Sequence, residues 1–227
     1  MVHELPAAPL VERIDHLTGL ARGRSVIHIG FVDQGCRTMQ DDAGAWLHGH
    51  LAGVATDLVG IDLDEAGVAD AVAAGLRAHV ADCRDPDALA ALGVAPADLV
   101  IAGEVIEHLD DPGAFLDGVR SLVAPGGRLV ITTPNAYGLL NVIASVGRRE
   151  INHPDHVVMF TWRTLTNLAS RHGWAVEATH VYVPTLKAGA GARALGGRLA
   201  VAVERGLARA GHRYAADGLI VMFRPAP

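Results

Sequence analysis

Glu104, Glu107 and His108, in the segment GEVIEHLDDP, stand at i, i+3 and i+4, the spacing that places three side chains on one face of a helical turn. Two carboxylates and an imidazole on one face can move a proton near neutral pH, where imidazole titrates. His153 and His156, in NHPDH, lie on a polar stretch expected to reach the same rim, so His108, His153 and His156 are the candidate catalytic groups. Two further carboxylates, Asp62 in LVGIDLDEAGV and Asp82 in VADCRDPDAL, each follow a short apolar run. A carboxylate at a strand end can accept hydrogen bonds from both hydroxyls of a ribose, which gives Asp62 a binding role, while Asp64 is better placed to cap the next helix. Asp82 reads either as a second ligand-facing acid or as a turn aspartate. Asn135 and Tyr137, in TTPNAYG, are placed to touch a substrate, or else serve as a turn residue and a packing aromatic.

These groups need a scaffold that gathers strand ends. Ser25 to Ile29, Leu58 to Ile61, Ala78 to Ala81, Leu99 to Ala102 and Arg128 to Thr133 read as short buried strands. Helical spacing falls between and around them, in Leu10 to Leu20, Trp46 to Val54, Glu65 to Leu76 and the stretch after Pro112 that carries Phe115, Val119 and Leu122. Pro125-Gly126-Gly127 is expected to end that helix before the strand resumes. Strand and helix in alternation imply an α/β fold with a mostly parallel sheet, helices on both faces, and a ligand crevice at the carboxyl ends of the strands. Gly30, Asp62, Asp82 and Glu104 all follow strand ends and so fall on one rim. Beyond the core, Tyr137 to Val146 and Thr164 to Arg171 read as helices, Asn152 to His156 as a polar loop, and Ala175 to Val183 and Gly218 to Phe223 as the last strands. Residues 1–227 are expected to form a single domain, with 184–217 a helical insertion between those two strands.

The chain has 227 residues, 50% of them hydrophobic, and a formal net charge of −6. That is long enough for a full core and gives no overall basic footprint for nucleic acid. Two cysteines, Cys36 and Cys83, without CxxC spacing, fit a reducing cytoplasm better than a disulfide framework. The N-terminal stretch carries acids among its apolar positions, and no run reaches the roughly 18 apolar residues of a membrane span. The insertion contains an Ala-rich helix with Arg193, Arg198, Arg205 and Arg209 among apolar positions. Packing or homodimer formation is its expected role, and contact with anionic lipid is the sharper alternative.

The segments GEVIEHLDDP, APGGRLVITTPN and DHVVMFTWRTLTNLASRHGW together resemble the centre of a class I S-adenosylmethionine-dependent methyltransferase. The resemblance implies a Rossmann-like, seven-stranded sheet with an antiparallel last strand and S-adenosylmethionine as cofactor. It assigns cofactor contacts to Gly30, Phe31 and Asp33 after the first strand, Asp62 and Leu63 after the second, Asp82 and Cys83 after the third, and Glu104 after the fourth. The first turn, VIHIGFVDQG, departs from the pattern: His28 stands where the family usually has an acid, and Val32 and Gln34 where further glycines are common, with Gly35 a shifted substitute. No GxGxxG occurs in that turn, which argues against a dinucleotide fingerprint. The ExxEH cluster also resembles the metal-binding cluster of small-RNA 3′-end 2′-O-methyltransferases and ubiquinone-pathway O-methyltransferases. That likeness implies a divalent ion (Mg or Mn) on Glu104, Glu107, His108 and His156, or His153 in its place; the competing implication is metal-free chemistry with a His as general base. The expected reaction is methyl transfer to a hydroxyl of a small molecule: a sugar, glycan precursor or secondary metabolite. An RNA 2′-O-methyltransferase and a non-catalytic binding protein that retains the fold are the alternatives.

Overall fold

The computed structural model describes residues 4–32, 46–184 and 192–227, with side chains in the last segment from residue 199 onward. Seven strands form one sheet: β1 (Ser25–Ile29), β2 (Asp57–Asp62), β3 (Ala78–Val80), β4 (Ala97–Gly103), β5 (Val123–Pro134), β6 (Trp174–Tyr182) and β7 (Gly218–Pro225). Their order is β3-β2-β1-β4-β5-β7-β6. β1 to β5 pair in parallel, and β7 runs antiparallel between β5 and β6. The winding direction reverses between β1 and β4, so their carboxyl ends open the crevice where such sheets bind ligands.

The helices are α1 (Arg13–Ala21), α2 (Leu47–Ala52), α3 (Glu65–Ala73), α4 (Pro86–Ala91), α5 (Pro112–Gly118), α6 (Leu139–Val146), α7 (Trp162–Arg171) and α8 (Ala192–Arg209). Several begin on the capping residue the sequence supplies. Asp64 accepts the amides of Ala66 and Gly67 at α3, Asp85 those of Asp87 and Ala88 at α4, and Asp111 that of Ala114 at α5. Thr161 and Thr164 form a reciprocal capping box at α7.

Alternate residues of β4 enter opposite cores. Val100 and Ala102 join Ile27, Ile61, Phe115 and Leu116, whereas Leu99 and Ile101 join Leu17, Val26 and Val130. Burial on both faces explains why this strand reads as a continuous apolar run. Each such large apolar side chain contributes about 1.5–3 kcal/mol.

Pro125-Gly126-Gly127 does not separate helix from strand. α5 ends at Gly118, a 3-10 turn covers Val119–Leu122, and β5 starts at Val123. The Pro-Gly-Gly step lies inside the strand at a register irregularity opposite Ala97 and Leu99, where the tight turn is absorbed as a bulge. Among the described residues, no helix is long and apolar enough to cross a membrane.

Candidate active site

A slot at the carboxyl ends of β1, β2 and β3 is lined by Gly30, Asp62, Leu63, Asp82, Cys83 and Arg84, with Val105, Leu109 and Phe115 opposite. Gly30 has φ +72° and donates its amide to the Ile61 carbonyl at 2.9 Å. A Cβ there would lie 2.3 Å from Cγ2 of Val105, so this turn requires glycine both for its backbone and for its neighbour. Asp62 accepts the amide of Val32 on Oδ2 at 2.9 Å and that of Asp64 on Oδ1 at 3.1 Å. Each oxygen retains acceptor capacity, and the two bonds hold the carboxylate still at the edge of the slot. Asp82 is differently engaged. Both its oxygens accept from the Arg84 guanidinium, at 2.8 to 3.1 Å, and Oδ1 also accepts the Arg84 amide at 2.9 Å. That hydrogen bonding holds the Asp82 carboxyl below its ordinary range, while burial pushes the Cys83 thiol up to about 12. Cys83 is therefore a neutral, unreactive lining group.

The turn Val105–Leu109 closes the slot on one side and carries the acid and imidazole groups on the other. Glu104, with φ +56°, directly follows β4 and belongs to no helix. Its amide donates to the Thr132 carbonyl, and Oε1 accepts the hydroxyls of Thr132 and Tyr182, each at 2.7 Å. Arg13 donates to Thr132 Oγ1 at 3.2 Å and lies 5.9 Å from the Tyr182 ring centre. Burial first, and the Glu104 charge second, raise the Tyr182 phenol well above its usual range. Residues 106–108 form a single 3-10 turn, so the helical face expected for Glu104, Glu107 and His108 does not form.

Glu107 is fully buried and accepts the Thr133 hydroxyl on Oε2 at 3.0 Å; Oε1 has no hydrogen-bond partner among the described residues. Desolvation, then the nearby Glu104 charge, push its carboxyl up from the ordinary range. The Glu107 carbonyl accepts the amides of Val157 and Val158, at 2.8 and 3.1 Å, which ties the polar loop to this turn. His108 and His156 are thereby brought to 4.7 Å between ring centres, with His153 at 6.0 and 5.7 Å from them. Candidate ligand atoms of Glu107, His108 and His156 lie within 4.8 Å of one another, and Nδ1 of His156 is buried without a partner among the described residues. Burial, followed by the charges of His108 and His153, lowers the His156 pKa.

Residues 32–179 match the family described as a methyltransferase domain. The chain belongs to that family of class I S-adenosylmethionine-dependent methyltransferases. Its sequence is 32% identical over 134 residues to a probable S-adenosylmethionine-dependent methyltransferase of Mycolicibacterium smegmatis, covering 57% of this chain and 48% of the relative. It is 33% identical over 124 residues to a ubiquinone biosynthesis O-methyltransferase of Psychrobacter cryohalolentis, covering 51% and 45%. The chain thus spans about half the length of the curated relatives it matches. An S-adenosylmethionine-dependent methyltransferase structure from Mesorhizobium loti shares the fold, with TM-score 0.55 at 20% identity over 93% of this chain and 95% of that one.

The methyltransferase family implies S-adenosylmethionine, and the slot suits its nucleoside: a fixed carboxylate for a diol, apolar Leu63, Val105, Leu109 and Phe115 for a flat ring, and a Gly30 turn that a Cβ would block. Of the residues expected to meet the cofactor, Gly30, Asp62, Leu63, Asp82 and Cys83 line this slot. Phe31 does not; its ring packs under Gly60 in a core with Val32, Val68 and Ala71. Glu104 lies outside the slot lining and is held by Thr132 and Tyr182. Asp33, like Gln34 and Gly35, falls outside the described residues. His28 is buried in β1, its Nδ1 3.2 Å from Nδ1 of His48, and burial drives its pKa well down. A buried imidazole whose pKa is driven down thus stands where the family usually has an acid. Sequence reading missed Arg84, Val105 and Leu109 in the slot lining, and Arg13, Thr132 and Tyr182 behind Glu104. Position beside Asp82 was a signal for Arg84, whereas Arg13 and Tyr182 carry none, since α1 and β6 meet Glu104 only through the fold.

Proposed function

We propose that the chain transfers a methyl group from S-adenosylmethionine to a hydroxyl of a small molecule, such as a sugar, glycan precursor or secondary metabolite. One observation carries this reading. Val105 and Leu109 line the nucleoside slot while Glu107 and His108, on the same turn, sit with His156 and His153. This supports a proton-accepting group beside the proposed cofactor site.

When bound, the cofactor supplies a methyl on a sulfonium, so transfer is an in-line displacement that needs alignment more than activation of the donor. The hydroxyl oxygen forms the bond to the methyl carbon, the carbon–sulfur bond breaks, and the hydroxyl proton must leave. His156 is suited to accept it, because burial and its imidazole neighbours keep it neutral near pH 7. His108 and His153 complete the group. Glu104, held by Tyr182 and Thr132, sets the shape of the strand end behind it.

A second reading, with a divalent ion, draws on two buried atoms without partners among the described residues, Glu107 Oε1 and His156 Nδ1. Glu107, His108 and His156 would hold it and it would favour the alkoxide form of the substrate; one carboxylate with two imidazoles suits Mn²⁺ better than Mg²⁺. Glu104, expected as a fourth ligand, stands outside this set.

Calorimetric titration with S-adenosylmethionine, followed by methyl transfer assays with hydroxylated acceptors, tests the proposal. Saturable binding together with loss of turnover in His156→Asn at unchanged cofactor affinity is the expected result. No detectable cofactor binding would overturn it in favour of a binding protein that keeps the fold.

A further inference from the structure

A second cavity, about 690 Å³, lies between α6 and the segment 148–159, beside the end of β5. Its volume is within the range of about 300–1,000 Å³ usual for small-molecule sites. Val142, Ile151, Met159 and Tyr137 give it an apolar wall, and its charged lining residues are Arg148, Arg149 and Glu150. α6 has the sequence LLNVIASV yet buries none of its residues: Val142, Ile143 and Val146 are 44%, 58% and 82% exposed. A helix this short is stabilised by what packs on its apolar face, and here Val142, Ile143 and Val146 on that face are left exposed.

The charge beside it is equally unmatched. In a chain of net charge −6, Arg148 and Arg149 are adjacent cations with no ion pair among the described residues. The neighbouring acid, Glu150, accepts instead from Nδ2 of Asn152 at 3.0 Å. Arg148 has φ +56°, and besides Glu104 it is the only non-glycine residue with positive φ among the described residues. Such a backbone costs about 1–3 kcal/mol, and residues held this way cluster at binding and catalytic sites. The cavity also shares its wall with the site above: Ile151, Asn152 and Met159 line it, and His153 and His156 lie on the same segment, tied through Val157 and Val158 to Glu107.

From this juxtaposition, and resting on the methyl-transfer reading, we infer that the acceptor is an anionic amphiphile, whose phosphate or carboxylate meets Arg148 and Arg149 while its hydrocarbon part covers Val142, Ile151 and Met159. The hydroxyl-bearing portion then lies toward the histidine group. A polynucleotide would need an extended basic track and stacking platforms, whereas this cavity offers two adjacent cations, a single carboxylate bonded to Asn152, and an aliphatic wall.

The test uses the full chain and dodecyl phosphate below its micelle concentration, titrated calorimetrically without methyl donor, with inorganic phosphate and dodecyl maltoside as comparison probes. Saturable one-to-one binding of dodecyl phosphate alone is expected. The Arg148→Gln/Arg149→Gln pair should weaken it by about tenfold or more, the scale of one lost charge-assisted contact, and Val142→Ser, at an exposed position, should weaken it with little risk to folding. Equal binding of inorganic phosphate makes this a bare anion site, and equal binding of dodecyl maltoside makes it an unselective apolar patch; either overturns the inference. So does a pair of variants that lose adsorption to phosphatidylglycerol vesicles while keeping dodecyl phosphate affinity, which would assign the face to a membrane surface. Cofactor affinity measured in parallel separates the two readings: dodecyl phosphate binding without S-adenosylmethionine binding refutes methyl transfer and leaves the amphiphile site standing.

Discussion

Replacing Glu204 by Gln should stabilise the protein at alkaline pH and leave it unchanged in acid. Glu204 lies on α8, fully buried, with Oε1 accepting the Asp217 amide at 2.6 Å and Oε2 without a partner among the described residues. Asp217 in turn accepts the Leu140 amide at 3.3 Å, at the start of α6, and a Cβ on Gly138 would collide with it. This pair of acids therefore anchors the helix that lines the 690 Å³ cavity. Burial, with the Asp217 charge adding to it, raises the Glu204 pKa from 4.5 to about 7, and burial raises Asp217 from 3.8 to about 6. A folded-state pKa above the unfolded value means that the native state prefers the proton. The stabilising contribution is then complete below about pH 4.5 and is lost as pH rises through about 7. The shift corresponds to a ceiling of about 3 kcal/mol at 1.36 kcal/mol per pH unit. Gln keeps an acceptor for the Asp217 amide and carries no charge to desolvate, so Glu204→Gln should match the native protein near pH 4 and exceed it by about 1–3 kcal/mol near pH 8.5. Urea unfolding followed by far-UV circular dichroism at both pH values, at constant ionic strength, measures the difference. A gap that stays constant with pH would refute the reasoning, because only titration of Glu204 makes the two curves converge.

Asp62→Ala should abolish S-adenosylmethionine binding in calorimetry, since it removes the diol acceptor and frees the Val32 and Asp64 amides; retained affinity refutes the ribose assignment. Gly30→Ala forces a Cβ to 2.3 Å from Val105 at φ +72° and should cost about 1–3 kcal/mol of stability as well as cofactor affinity, both readable by thermal shift with and without ligand. Chelator treatment with metal analysis decides between the two readings of Glu107, His108 and His156: turnover that survives in metal-free protein removes the ion and leaves His156 as base. Trp174→Phe deletes the donor to the Leu116 carbonyl, a buried 2.9 Å bond, and should lower stability by about 1–3 kcal/mol in the same unfolding assay.

Local pattern was enough to read the alternation of strand and helix, the acids at strand ends, and the cap at Asp64, because periodicity, capping and turn chemistry depend on neighbours a few residues apart. The antiparallel last strand came with the family resemblance, and the structure has it between β5 and β6. The helical face through Glu104, Glu107 and His108 misled, since the chain leaves β4 with Glu104 at φ +56° and makes only a 3-10 turn. What spacing could not supply is who meets whom across the fold. Arg13, Thr132 and Tyr182 converge on Glu104 from three distant elements, His156 reaches His108 because Val157 and Val158 bond to the Glu107 carbonyl, and Glu204 finds Asp217. Desolvation does the rest: whether a carboxyl titrates in its ordinary range or near neutrality, as at Glu204, depends on what packs over it, and packing is decided only when remote segments close on one another.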